Sequence, residues 1–220
     1  MEKLFSNNYG THRPYLVECI KNTKGNIIEF GCGDSSTLLI LDLIKNTNRT
    51  LISLESNYEW YKKFKHLENE NHKLFFVDGQ EDTEEVGNKW LEFIQNNKEI
   101  QNLNFDVCFL DSSPWISRTV GLNYFKNKAK YLLVHDVDYF PLYKKWGTLI
   151  KTKYSGDFRK ISRIMDFSDI VKNFKVFYPT EKYYAAKTGP PTLLCSNIIN
   201  GKEFEDMCGK ISKELVNYYR

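Results

Sequence analysis

The sequence of 220 residues lacks the marks of several common classes of protein. Its five cysteines are scattered without any C-x-x-C pair, so the sequence indicates neither a zinc site nor a redox pair. No apolar run approaches the length that spans a membrane, and the N-terminus has no signal-peptide core. We therefore expect a protein of a reducing compartment, the cytoplasm, with no membrane partner.

A strong charge of either sign is also missing. The formal net charge is +3, and lysines and glutamates are mixed along the chain rather than gathered in a basic stripe. A nucleic-acid partner is therefore not expected. The chain is 41% hydrophobic and 15% aromatic, which suits one α/β domain with a sizeable core.

Apolar runs alternate with helical periodicity along most of the chain. Runs rich in β-branched and aromatic residues predict strands at 26–30, 50–55, 73–78, 105–110, 129–134, 174–178 and 192–196. Helical spacing predicts helices at about 15–20, 35–45, 58–67 and 84–96, and a closing helix in the tail. This alternation indicates βαβ units and a mostly parallel sheet. We predict one domain over 1–220, with a lead and helix at 1–24 and a candidate substrate-covering insertion at 139–170.

The predicted strand at 26–30 runs into a glycine turn and then a helix. Gly31 and Gly33 permit backbone angles and close approaches that a Cβ would prevent. A strand, a G-x-G turn and a helix N-terminus form a nucleotide-type site in an open α/β sheet. The third glycine of a dinucleotide fingerprint is absent, because Ser36 occupies that position. Glu29, two places before the first glycine, could accept a hydrogen bond from an ammonium group.

Acidic residues lie at the ends of the first five predicted strands. In chain order they are Glu29, Glu55, Asp78, Asp111 and Asp136. The carboxyl ends of parallel strands share one edge of a sheet, so we expect these side chains to gather there. Glu55 follows the glycine turn by roughly twenty residues, the distance at which a carboxylate binds ribose hydroxyls in nucleotide folds.

The pattern E-x-G-x-G at Glu29, Gly31 and Gly33 resembles motif I of the class I S-adenosyl-L-methionine (SAM) dependent methyltransferases. The resemblance covers about residues 25–200. It implies a doubly wound α/β fold with helices on both faces of a seven-stranded sheet, in the order 3-2-1-4-5-7-6 with the last strand antiparallel. It implies SAM as cofactor, with contacts at Thr11, His12, Glu29, Gly31, Gly33, Glu55, Ser56, Asp78, Gly79 and Asp111.

The resemblance also implies a role for each contact. Glu29 would lie near the amino group of SAM, and Glu55 would hold its ribose hydroxyls. Asp78, with the Gly-Gln that follows it, would meet the adenine amine. Asp111 would lie under the transferred methyl group and face the acceptor.

Two further segments are similar to small-molecule methyltransferases of the sugar and natural-product kind. The fifth predicted strand runs into His135-Asp136, and the lead at 9–14 resembles a segment that folds over SAM in some of these enzymes. The resemblance implies methyl transfer to a hydroxyl, less readily an amine, of a small polar acceptor such as a sugar or nucleotide-sugar. His12 and Arg13 could contact the SAM carboxylate or an anionic acceptor.

Methyl transfer requires an oriented acceptor and a base that takes its proton. Asp111, His135 and Asp136 are the candidate catalytic residues. The same three could bind Mg²⁺, which would lower the pKa of the acceptor hydroxyl. Metal-dependent relatives of the catechol type end their fifth strand in Asp-Asn, where this chain has His-Asp. We therefore expect no metal site, and Mg²⁺ stays an unfavoured option.

Two functions of other classes stay open. One is an NAD-dependent oxidoreductase or epimerase, against which Ser36 and the lack of a Tyr-x-x-x-Lys pair after the fourth strand both weigh. The other is a SAM-binding scaffold without catalytic activity. The sequence leaves open the identity of the acceptor and the oligomeric state, a homo-oligomer included.

Overall fold

A computed structural model describes residues 10–137, 167–177 and 190–218, with the side chains of the last helix described up to residue 212. The strands in these ranges are β1 (Asn26–Phe30), β2 (Leu51–Glu55), β3 (His72–Phe76), β4 (Phe105–Leu110), β5 (Tyr131–His135), β6 (Asn173–Phe177) and β7 (Thr192–Ser196). The helices are α1 (Arg13–Lys21), α2 (Thr37–Ile44), α3 (Tyr58–Lys65), α4 (Glu84–Asn96), α5 (Lys98–Gln101), α6 (Trp115–Phe125) and α7 (Gly201–Tyr218).

All seven strands belong to one sheet, in the order β3-β2-β1-β4-β5-β7-β6. The pairs from β3 across to β5 are parallel, and β7 runs antiparallel to both of its neighbours. The predicted fold class, strand order and antiparallel last strand are confirmed. Because β1 pairs with both β2 and β4, the chain order reverses beside β1, and this switch point opens a crevice at the carboxyl ends of β1 and β4.

The sheet is covered on both faces, and alternate residues of a strand serve different layers. In β1, Ile28 and Phe30 pack in a core cluster with residues of α4 and α6. Ile27 packs on the other face, in a cluster with residues of α1, α2 and α7. Glu29 faces this second layer too. Full burial of each Ile or Phe side chain contributes about 1.5–3 kcal/mol, which explains the nearly continuous apolar strands.

Sequence periodicity missed two helices and misplaced the ends of several strands by one or two residues. α5 is a single turn, and α6 is buried on almost every side, so it shows no polar stripe that would mark it as a surface helix. β3 ends at Phe76, so Asp78 lies two residues beyond the strand instead of closing it. β5 includes His135 as its last residue. The candidate insertion at 139–170 lies outside the described residues, apart from 167–170.

None of the helices in the described ranges combines the length and apolarity that a membrane-spanning helix needs.

The close backbone contact between the ends of β1 and β4 requires a glycine at Gly31. Its φ is +89°, in the left-handed region, and a Cβ built there would lie 2.7 Å from the carbonyl oxygen of Asp111 and 2.8 Å from the Cα of Ser112. These neighbours are backbone atoms, so they cannot move aside as a flexible side chain could. At this residue the sequence needs glycine for the fold itself.

We expect Gly31→Ala to lower the free energy of unfolding by on the order of 3 kcal/mol or more, because strain and steric overlap add. Gly33→Ala is the matched control, since its Cβ would meet nothing closer than Ser36 Oγ at 3.5 Å. Urea denaturation of the two variants measures the difference. Equal stabilities would contradict this account of the turn.

Candidate functional site

The glycine turn after β1 is held in place by the carboxylate of Glu55. Glu55 Oε2 accepts the backbone N–H of Cys32 at 2.7 Å, and Oε1 accepts those of Ser56 and Asn57 at 2.8 and 2.7 Å. Burial raises the pKa of Glu55 above its usual value, and these three hydrogen bonds oppose the shift. A carboxylate oxygen accepts two hydrogen bonds, so Oε2 keeps one acceptor position that a ligand hydroxyl could use.

Gly33 leaves one side of the turn open. Its N–H donates to Thr37 Oγ1 at 2.9 Å, which anchors the turn to the start of α2. Apart from Ser36 Oγ at 3.5 Å and Ser35 N at 3.9 Å, a Cβ at this residue would have no neighbour within 4 Å. The backbone of Gly33 is therefore accessible to a ligand, whereas that of Gly31 is in contact with β4.

Gln80, next to the predicted adenine contacts Asp78 and Gly79, is linked through Ser56 to the loop after β4. Ser56 is buried, and its hydroxyl donates to the carbonyl oxygen of Ser113 in the loop after β4. Gln80 Nε2 donates to the carbonyl of Ser56 at 3.1 Å. Asp78 is exposed, and Gly79 has a φ of +122°. Their contact with a cofactor stays a prediction.

Glu29 lies inside the protein. Its side chain is fully buried; Oε1 accepts the hydroxyl of Ser53 at 2.7 Å, and this hydroxyl also contacts His72 Nε2 at 2.9 Å. Within the described residues, Glu29 Oε2 has no hydrogen-bond partner. Burial raises the pKa of Glu29 to about 7, although the Ser53 hydrogen bond opposes the shift. The predicted contact with an ammonium group stays a prediction.

The three candidate catalytic residues meet at the carboxyl ends of β4 and β5. His135 Nδ1 lies 3.1 Å from Asp111 Oδ1 and 3.6 Å from Asp136 Oδ1. The two carboxylates are 22% and 24% exposed, whereas His135 is buried behind them. Asp136 has a φ of 53°, a left-handed backbone conformation that is uncommon outside glycine and recurs at functional sites.

Arg118 of α6 joins the two carboxylates, and sequence reasoning missed it. Its guanidinium lies 3.2 Å from Asp111 Oδ1 and 3.3 Å from Asp136 Oδ2. It also donates to the carbonyl oxygens of Ser112 and His135, both at 2.7 Å. The available signal was an arginine in a stretch, 115–125, that has no other charged residue, because a buried arginine needs carboxylate partners.

The lead before α1 reaches the same cluster. Thr11 Oγ1 contacts His135 Nε2 at 2.9 Å and donates to the carbonyl of Pro190 at 3.0 Å. His12 Nδ1 lies 4.0 Å from Asp111 Oδ2. The structure therefore brings Thr11 and His12 together with the candidate catalytic residues.

The cluster separates the pKa values of its members. Burial opposes ionisation of Asp111, but the charges of His135 and Arg118 hold the pKa of its carboxyl at about 2. Burial disfavours a charged His135, but the charge of Asp111 and its hydrogen bond raise the pKa of that imidazole above its usual value. Burial, followed by the charge of His135, lowers the pKa of His12 to about 3. Asp111 and His135 thus form an ion pair, beside which His12 is neutral.

No protein-family model matches this sequence, and no curated protein matches it either. Solved structures do match it. The sheet order and the crevice at its switch point define a Rossmann-like α/β fold.

A spermidine synthase in complex with the transition-state analogue AdoDATO has that fold. It matches with a TM-score of 0.50 and 11% identity, over 89% of this chain and 61% of that one. The spermidine synthase of Thermotoga maritima matches with a TM-score of 0.49 and 12% identity, over 92% and 62%. A nicotianamine synthase solved with S-adenosylmethionine matches with a TM-score of 0.42 and 11% identity, over 86% and 64%. The chain thus spans under two thirds of these proteins, and at such identities the likeness shows the fold alone.

We expect Glu29→Gln to stabilise the protein at pH 8 and to leave its stability nearly unchanged at pH 4.5. The raised pKa means that folding is penalised above pH 7, where the carboxylate is charged in both states. The penalty fades as the pH falls toward the unfolded value near 4.5. The gain should reach up to about 3 kcal/mol at pH 8.

Urea denaturation at the two pH values measures this difference, and the exposed Glu92→Gln of α4 is the control. A gain that is as large at pH 4.5 as at pH 8 would show that the ionisation of Glu29 is not its cause.

Proposed function

We propose that this protein is a SAM-dependent methyltransferase acting on a hydroxyl, less readily an amine, of a small polar acceptor, with sugars and nucleotide-sugars as the first candidates. One observation carries the proposal. The accessible side of the glycine turn at Gly33 and the cluster of Asp111, His135 and Asp136 lie at the same edge of the sheet, at and beside the β1–β4 switch point.

The residues around the turn fit a nucleoside cofactor. Gly33 lets a ligand approach the backbone, and the remaining acceptor position on Glu55 Oε2 suits a ribose hydroxyl. Gly79 and Asp78 follow β3 at the adjoining strand end. SAM supplies an electrophilic methyl group on a sulfonium centre when it is bound.

The residues of the cluster would orient the acceptor and receive its proton. Asp111 Oδ1 is occupied by His135 and Arg118, whereas Oδ2 accepts no hydrogen bond from the residues that the structure describes. Oδ2 is therefore the atom to which an acceptor hydroxyl would donate. The low pKa of Asp111 keeps it ionised over the physiological range, so it can hold that hydroxyl in line for the displacement.

Asp136 is the second group that could take the acceptor's proton. Its carboxylate is 24% exposed and shares Arg118 with Asp111. His135 supports both carboxylates from the buried side. Its role is to hold charge and geometry, since both of its ring nitrogens already have partners.

The positive charge of Arg118 beside the two carboxylates favours a neutral or anionic acceptor over a cationic one. Arg118 pairs with both carboxylates, which leaves less negative charge for a polyamine than two free acids would. Arg13 is half-buried, and its Nε has no hydrogen-bond partner among the described residues. An anionic group of a nucleotide-sugar, or the carboxylate of SAM, would satisfy it.

We expect the purified protein to bind S-adenosylhomocysteine with micromolar affinity, about −8 kcal/mol. Gly33→Val should weaken this binding at least tenfold with little change in stability, because its side chain enters the accessible side of the turn. Isothermal titration measures both, with NAD as the control ligand. Binding of NAD without binding of S-adenosylhomocysteine would favour the oxidoreductase or epimerase. Glu55→Ala is a poorer probe, because it also releases three backbone N–H groups.

We expect Asp111→Asn to lower turnover by 10² or more while binding of S-adenosylhomocysteine changes little, because the carboxylate acts on the acceptor. Release of S-adenosylhomocysteine during a screen of nucleotide-sugars measures turnover. If no acceptor of any class gives turnover although SAM binds, the inactive scaffold replaces the enzyme.

A further inference from the structure

His12 is a buried polar side chain without a hydrogen-bond partner among the described residues. It is 1% exposed, and neither ring nitrogen makes a hydrogen bond there; the Ser35 backbone is nearby but outside hydrogen-bond geometry. Its ring packs against Phe109 and the ring of His135, both with centroids at 4.6 Å. Buried polar side chains are normally hydrogen-bonded, so a missing partner of this kind needs an explanation.

The contacts of His135 define which of its nitrogens carries hydrogen. The Thr11 hydroxyl donates its one hydrogen to the carbonyl of Pro190, so it accepts the N–H of His135 Nε2. In the neutral ring Nδ1 is then a lone pair, and it faces Asp111 Oδ1 at 3.1 Å. Two acceptors this close require a positive species between them, which is either a proton or a metal ion.

The three side chains surround such a position. One ligand atom from each of His12, Asp111 and His135 can be chosen so that all lie within 4.8 Å of one another. A tetrahedral metal ion with bonds of about 2.0–2.2 Å holds two ligands about 3.3–3.6 Å apart. His135 Nδ1 lies 3.1 Å from Asp111 Oδ1, close to this spacing, whereas His12 Nδ1 lies 4.0 Å from the other oxygen, Asp111 Oδ2, somewhat beyond it. A shift of the His12 ring by about 1 Å would bring the three ligand atoms to the spacing of a tetrahedral site.

The local charge also suits a cation. Asp111 and Asp136 contribute two negative charges and Arg118 one positive charge, so the cluster carries −1 once a metal ion has displaced the proton of His135. Arg118 is shared with Asp136, and Asp111 Oδ2 stays available on the side of His12.

We propose that His12, Asp111 and His135 form a binding site for a divalent transition-metal ion such as Zn²⁺. Two imidazoles and one carboxylate suit such an ion, whereas Mg²⁺ prefers oxygen ligands throughout. Thr11 is the residue that orients His135, as a hydrogen-bonded neighbour orients most metal-binding histidines. The site goes beyond methyl transfer and can be tested without SAM.

The test is a titration of metal-free, tag-free protein with Zn²⁺, in competition with a chromophoric chelator. Wild type should bind one Zn²⁺ per chain at micromolar or lower concentration and should not bind Mg²⁺ there. His12→Phe keeps the ring packing and removes both nitrogens, so Zn²⁺ binding should weaken at least tenfold without a lower melting temperature. The exposed His66→Gln is the matched control and should bind as wild type does.

Thr11→Val tests the orienting contact and should weaken Zn²⁺ binding about tenfold while His12 and Asp111 remain. If His12→Phe does not fold, His12→Leu serves the same comparison. Failure of wild type to bind one Zn²⁺ per chain, or equal affinity in wild type and the folded His12 variant, overturns the proposal. Mg²⁺ binding as tight as that of Zn²⁺ would overturn it too.

Discussion

The close approach of Gly31 to the backbone of Asp111 and Ser112 is the constraint on which the site depends. It joins the carboxyl ends of β1 and β4 where the chain order reverses, and it leaves no room for a Cβ. Glu55 then fixes the rest of the turn by accepting three backbone N–H groups. Because backbone contacts define this geometry, Asp111 has one position relative to the turn. A ligand on the turn and an acceptor at Asp111 would therefore meet in a defined arrangement.

Much of this architecture could be predicted from the sequence, because buried parallel strands leave a strong apolar signal. β1 and β4 have the predicted bounds, and Asp111, His135 and Asp136 meet as expected from acids and a histidine at strand ends. Arg118 could not be predicted in this way. Because α6 is buried on nearly all sides, its sequence has no apolar stripe that would show which side chains face the site. The alternation of side chains along β1 places Glu29 on a covered face of the sheet. The expected contact of Glu29 with a ligand came only from its position in the E-x-G-x-G pattern.

Electrostatic balance in the cluster is set by one residue that no motif marks. With both histidines neutral, Arg118 reduces the charge of two carboxylates to −1, and an imidazolium at His135 would bring the sum to zero. Arg118 also bonds the carbonyls of Ser112 and His135, so the same side chain stabilises the ends of β4 and β5. Charge balance and strand geometry are therefore coupled, as is usual where ionised groups are buried together.

The hydroxyl of Thr11 has a consequence for how the protein matures. It contacts a residue 124 positions away, His135, and another 179 positions away, Pro190. During synthesis the N-terminal strands and helices can pair while the ribosome still holds the later ones. Thr11 cannot complete its contacts until residue 190 has emerged. The cluster is thus among the last parts to assemble, and a nascent chain can hold a folded β1–β4 core before it has a finished site.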